Sequence, residues 1–244
     1  MFFRIKIKLL KFLKIIAGRK PFSEIAGFFN LKTADEICKD LIKIYAPGKS
    51  FLDLGCMWRV EGLFSFFAEE CGAKDVTAVD ISLPTENFRK KTKERGSKIN
   101  FFRGDINSEE TLESIGCRDV VFCSGLLYHM PEPLFFLRSL RKICRDTLIL
   151  GSMVIPEINS IKNSAVFYPF LDKKYKNMWS LRQRQVGIKE DFTFTDKYAN
   201  WFWGLSPSCI ISLLKCAGFK LEKKIVRPFH AFFVCRPVED ILEF

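Results

Sequence analysis

A chain of 244 residues with 48% hydrophobic content is long enough for one α/β domain with additions and has ample material for a core. Nine cysteines without a C-x-x-C pair argue against a disulfide framework and a zinc site and for reduced thiols in a cytoplasm. Two histidines, His129 and His230, are too few and too far apart for a metal centre, so no metal is expected.

The net charge of +11 is unevenly placed. Residues 1–20 carry seven cations and no acid, which leaves the rest of the chain only mildly basic. Residues 1–32 read as a basic amphipathic helix and a connector. Arg4, Lys8, Lys11 and Lys14 share one helical face, and Phe2, Leu9, Phe12, Leu13 and Ile16 share the opposite one. Such a helix suits peripheral contact with a membrane surface, an arm that binds RNA, or docking on its own domain. It is not a span, because no apolar run approaches about twenty residues. It does not read as a signal peptide either, because lysines interrupt the apolar region. The domain proper is expected over 33–237. Thr33 to Glu36 is a T-x-x-E capping box that starts a helix running to Tyr45, and Pro47-Gly48 delivers the chain to a first strand.

The stretch from Ser50 to Asp80 organises the domain. A short apolar run ends in Asp53-Leu54-Gly55-Cys56, a buried parallel strand entering a tight turn. A helix with Leu63, Phe66 and Phe67 on one face stops at Gly72, and a second strand from Val76 to Val79 ends at Asp80. Strand, glycine turn, helix, strand and terminal acid make a nucleotide-binding βαβ unit, with Asp80 placed to accept both ribose hydroxyls. Met57 and Arg59 stand where further glycines are expected in a phosphate-binding loop. A pyrophosphate needs bare backbone, so NAD and FAD are disfavoured and a cofactor without phosphate is favoured. Gly62 comes late in this loop. Arg59 then either reaches a carboxylate on the cofactor or is an exposed residue on a bulge.

A polar outer helix is expected from Pro84 to Arg95, a third strand over 99–102, and a helix over 107–112 after Asp105 and Ile106. A fourth strand over 119–122 runs into Cys123-Ser124-Gly125 and then Tyr128 and His129, the best-placed polar segment for a substrate. A helix from Pro131 and Pro133 puts Leu137, Leu140 and Cys144 on its core side, and Leu148–Leu150 is a fifth strand. Residues 152–205 form a long insertion with eleven aromatics between Phe167 and Trp203. A connection of this length reads as a lid or binding loop, although most of the rings are expected to pack on the sheet. If the segment is extended, Trp201 and Trp203 share one face and frame an acceptor pocket. Ser206-Pro207 starts a helix that stops at Gly218, and strands over 219–226 and 229–235 close the sheet as a hairpin. Residues 238–244 are a tail.

The segments SFLDLGC, TAVDIS, DVVFCSGLLYHMPEPL and WFWGLSPSCIISLLKCAGF, in this order, resemble a class I S-adenosylmethionine-dependent methyltransferase, nearest the branch with the tRNA wobble-uridine methyltransferases. The resemblance implies a Rossmann-like doubly wound α/β sheet, mostly parallel with a C-terminal antiparallel hairpin. It implies S-adenosyl-L-methionine as cofactor, held by Asp53, Gly55, Cys56, Met57, Arg59, Asp80, Ile81, Asp105, Ile106, Cys123 and Ser124. Asp105 would accept from the adenine amine and Ile106 would cover the ring; without the resemblance, Asp105 reads as a helix cap. His129 is the candidate base, or else a structural residue, and Tyr128 is an alternative base or an orienting hydroxyl. A small-molecule, lipid-linked or glycan acceptor is expected. RNA as acceptor, and a binding protein with a decayed cofactor site, are the alternatives.

Overall fold

The computed structural model describes residues 32–158, 160–167, 203–227 and 229–239. The predicted amphipathic N-terminal helix, most of the aromatic insertion and Trp201 lie outside them. Nine strands are described: β1 (Ser50–Leu54), β2 (Asp75–Asp80), β3 (Asn100–Arg103), β4 (Arg118–Ser124), β5 (Cys144–Met153), β6 (Ala165–Phe167), β7 (Trp203–Leu205), β8 (Phe219–Val226) and β9 (His230–Pro237). Seven form one sheet in the order β3-β2-β1-β4-β5-β9-β8, and β6 and β7 form a separate antiparallel pair. The first five strands of that sheet run parallel, and β9 joins β5 antiparallel, so the terminal hairpin closes it as the sequence predicts.

Six helices are described: α1 (Ala34–Tyr45), α2 (Leu63–Glu70), α3 (Glu86–Glu94), α4 (Glu109–Ile115), α5 (Pro133–Ile143) and α6 (Pro207–Cys216). They cover both faces of the sheet. On one face Ile42, Phe64 and Phe88 from α1, α2 and α3 share a core with Phe51, Phe122 and Phe232. On the other, Leu112, Leu137 and Ile210 from α4, α5 and α6 share one with Leu52, Val121 and Leu150. The alternation follows from the pleat: successive side chains of a central strand point to opposite layers, so strands covered on both faces must be apolar throughout.

Local signals set several element ends. The Thr33 hydroxyl accepts from the Glu36 N–H while the Glu36 carboxylate accepts from the Thr33 N–H, completing the capping box. Ser206 caps α6 by accepting from the N–H of Cys209, with Pro207 in the first position. Other details depart from expectation. In α2 the buried residues are Phe64, Ser65, Phe66 and Ala68; of the predicted face, Phe66 is buried while Leu63 and Phe67 are half-buried against the same core. Phe64 packs on Phe122, Phe66 on Phe88, and Phe67 lies under the Lys39 ammonium, so this helix is held from three sides. Cys144 opens β5 instead of closing α5, and the helix after Asp105 begins at Glu109 with Ser108 at its cap.

Candidate active site

Strand β1 lies between β2 and β4, and the chain leaves it in opposite directions across the sheet. That reversal opens a crevice at the carboxyl ends of the parallel strands. The loop after β1, residues 55–62, forms its floor. Gly55 has φ +75° and Gly62 has φ +76°. Arg59 (φ 61°) and Glu61 (φ 45°) are also left-handed, a conformation that costs roughly 1–2 kcal/mol per non-glycine residue and that clusters at ligand clamps.

The loop is tied down by its own backbone. The amides of Gly55 and Cys56 donate to the Val79 carbonyl, and the Met57 amide donates to Oδ2 of Asp80 at 2.8 Å. The amides of Val60, Glu61 and Gly62 donate to the carbonyls of Trp58, Met57 and Cys56. Side chains also fill the space above both glycines. A Cβ on Gly55 would meet the Leu126 side chain at 2.8 Å, and one on Gly62 would meet the Phe88 ring at 2.4 Å. The Glu61 carboxylate accepts from Nδ2 of Asn87, which joins the bulge to α3.

Asp80 ends β2 beside this loop. Its Oδ1 accepts from the Ser82 amide at 2.8 Å, so each oxygen already holds one backbone donor and keeps a second lone pair. Ile81 is 48% exposed next to it, and its carbonyl accepts from Nε of Arg103. Asp105 follows β3, and its Oδ1 accepts from the Asn107 amide at 3.0 Å in a local turn, while Ser108, not Asp105, sits at the cap of α4. The Ile106 side chain is buried in the core with Leu112 and Leu127.

Asp53 lies away from the crevice. It is 1% exposed, and its Oδ2 accepts from the Ser65 hydroxyl at 2.6 Å, which fastens α2 to β1. Burial pushes its carboxyl up to about 7, against the hydrogen bonds from Ser65. Cys56 and Cys123 are likewise turned into the two cores and the Met57 side chain is buried, so contact from these three is limited to the backbone. Burial raises both thiols above their ordinary range. The Ser124 hydroxyl accepts from the Cys38 thiol at 3.8 Å and lies against Gly151, where a Cβ would fall 2.4 Å away.

Across the crevice, Leu127–His129 form one 3-10 turn after β4. The Tyr128 ring is buried and packs on the His129 ring with centroids 4.3 Å apart. Burial pushes the Tyr128 phenol up, and the Arg59 charge works against that rise. The N-cap of the next helix is Glu132, so His129 does not cap it. Trp203 donates its indole N–H to the Pro131 carbonyl at 3.0 Å and packs on Phe167 at 4.7 Å, which sets the β6–β7 pair beside this turn. Among the described residues, no group of three or more His, Cys, Asp or Glu side chains is arranged to hold a metal ion. Among them, too, no helix is long and apolar enough to cross a membrane.

Sequence reasoning missed Ser65 as the partner of Asp53 and Leu126 as the cover of Gly55. Leu126 lies in one of the quoted segments, but its contact with Gly55, like that of Ser65 with Asp53, becomes visible only once two elements meet.

Residues 51–147 match the family model described as a methyltransferase domain. The chain is 31% identical over 121 residues to the ubiquinone biosynthesis O-methyltransferase of Vibrio campbellii, across 49% of this chain and 48% of that protein. It therefore spans about half the length of that curated relative. Among solved structures, the N-terminal domain of EvdMO1 with SAH bound superposes with a TM-score of 0.58 at 14% identity, over 82% of this chain and 80% of that one. The 1,6-didemethyltoxoflavin-N1-methyltransferase of Burkholderia thailandensis, bound to 1,6-didemethyltoxoflavin and S-adenosylhomocysteine, superposes with a TM-score of 0.55 at 14% identity, over 84% and 80%. Residues 51–147 thus resemble a methyltransferase domain, and the chain shares the fold of these methyltransferase structures.

Proposed function

We propose that this protein transfers a methyl group from S-adenosylmethionine to a small organic acceptor. The observation that carries the reading is the environment of Asp80. An acid ends the second strand beside a loop most of whose amides are already committed to the chain's own carbonyls and to Asp80 itself. Such a loop has little bare backbone for a pyrophosphate, while a carboxylate with spare lone pairs fits a ribose. These residues suit a nucleoside cofactor without phosphates. Asp80 would take the ribose hydroxyls, exposed Ile81 would lie along the nucleoside, and Asp105 would accept from the adenine amine.

When bound, S-adenosylmethionine supplies an electrophilic methyl on a sulfonium. The chain's own part is to bind, orient and exclude water, since in-line placement of the nucleophile contributes most of the rate. The Tyr128–His129 turn faces the loop from the far side of the crevice. His129 is the residue to take a proton from an acceptor hydroxyl. Tyr128 is the orienting neighbour, because burial makes its phenolate costly. Trp203 lines the acceptor side. An oxygen nucleophile follows the O-methyltransferase relative.

The relatives and structures above give no support to the tRNA wobble-uridine branch or to RNA as acceptor. The lipid-linked and glycan acceptors rest on residues 1–20, which lie outside the described residues. Calorimetric titration with S-adenosylhomocysteine and with NADH tests the cofactor, and a label-transfer assay from S-adenosylmethionine into small-molecule and RNA fractions tests the acceptor. Binding of S-adenosylhomocysteine with no heat from NADH is expected. Comparable NADH binding, or label appearing in RNA alone, overturns the reading.

A further inference from the structure

We infer that the cofactor's amino-acid end is held by the Arg59 guanidinium in place of a cradle of glycine amides. The inference rests on the methyltransferase reading and extends it from the nucleoside to the methionine carboxylate.

Three observations lead to it. First, the loop after β1 has spent most of its donors. The amides of Gly55, Met57, Glu61 and Gly62 bond inside the loop or to β2, and the Leu63 amide bonds to the Val60 carbonyl. An anion over this loop finds few free N–H groups, although a carboxylate in such a crevice still needs donors. Second, the two glycine faces are covered, Gly55 by Leu126 and Gly62 by Phe88, so the missing Cβ atoms do not open an approach for a ligand. Third, Arg59 is held on the rim. It is an exposed residue in the left-handed region, in a bulge pinned at one end by the Met57–Asp80 bond and at the other by the Glu61–Asn87 bond.

The strand order sets the direction of the ligand. The order β3-β2-β1-β4 places Asp105 and Asp80 on one side of the loop and Tyr128 on the other. A nucleoside over Asp80 therefore extends its amino-acid end across β1 toward β4. Arg59 stands in the loop after β1 that this path crosses. A guanidinium offers two parallel donors to a carboxylate and is always charged, which suits it to replace a set of amides.

The decisive variant is Arg59→Gly. Glycine relieves the left-handed backbone and restores the residue type expected in a glycine-rich turn, so this variant should fold at least as well as the parent. Calorimetry on the full chain with S-adenosylhomocysteine, and with methylthioadenosine, which lacks the amino-acid group, separates the two ends of the ligand. We expect Arg59→Gly to weaken S-adenosylhomocysteine about tenfold and to leave methylthioadenosine within about twofold. Arg59→Lys should recover part of the loss. Unchanged or tighter S-adenosylhomocysteine binding in Arg59→Gly overturns the inference, as does equal weakening of both ligands. If the parent binds both ligands equally well, the carboxylate is not read and the inference fails while the proposed function stands. If the parent binds neither, both fail.

Discussion

The backbone N–H of Met57 donates to Oδ2 of Asp80 at 2.8 Å, across a gap of 23 residues. One carboxylate thus fixes the loop after β1 and is left with lone pairs for a ligand. In the proposed function, structure and recognition are coupled at this residue, which shapes what its substitution will do.

Asp80→Ala should weaken S-adenosylhomocysteine by about 2 kcal/mol through loss of a charge-assisted contact. It should also loosen the loop, because the Met57 and Ser82 amides lose their acceptor. Asp80→Asn keeps one acceptor oxygen and should show the affinity loss with less change in melting temperature. Titration calorimetry beside thermal melts separates the two effects. Full affinity in Asp80→Ala would remove Asp80 from the ribose site.

Gly62→Ala should be more destabilising than Gly72→Ala. Both positions are left-handed, at φ +76° and +82°, so the backbone cost is shared. At Gly62 the new Cβ also meets the Phe88 ring at 2.4 Å, whereas nothing lies within 4 Å of it at Gly72. The excess should be roughly 1–3 kcal/mol, the usual cost of overpacking. Urea denaturation of the two variants measures it, and equal midpoints would show that Phe88 swings clear.

Asp53 should make stability fall as pH rises. Its folded pKa, pushed up to about 7, lies above the unfolded value near 3.9. The proton is therefore held more tightly in the folded chain. The resulting stabilisation is full below about pH 4 and is lost as pH rises through about 7. Asp119 acts in a different window. Hydrogen bonds from Ser50 and Arg145 lower it to about 2, so its contribution is present above about pH 4 and lost in stronger acid. Asp53→Asn keeps an acceptor for Ser65 and cannot titrate. Between about pH 4 and 7 the parent should lose on the order of a few kcal/mol relative to this variant. Parallel urea-denaturation slopes across that range would contradict the assignment.

His129→Ala should lower methyl transfer about a hundredfold or more at neutral pH, with S-adenosylhomocysteine affinity unchanged, if the acceptor gives up its proton in the transition state. Tyr128→Phe should cost far less and leave the pH profile in place, because the phenol is buried and hard to ionise. A rate for His129→Ala within about threefold of the parent would assign the histidine to packing against Tyr128.

What the amino-acid sequence determined by itself was the succession of elements. Apolar runs of four or five residues, Thr33 and Ser206 at helix caps, and an acid after the second strand are local signals, and each acts within a few residues of where it is written. From them the parallel sheet, its terminal hairpin and the crevice at the strand ends could be read. The tertiary structure decided which way each side chain turns there. Asp53 reads like a ligand residue, yet its carboxyl faces Ser65 and leaves the crevice. Ile106 reads as a cover for an adenine ring and packs into the core. Gly55 reads as an open approach and lies under Leu126. In each case the partner is far along the chain or on another element, and hydrogen bonding and burial are settled only when those elements meet.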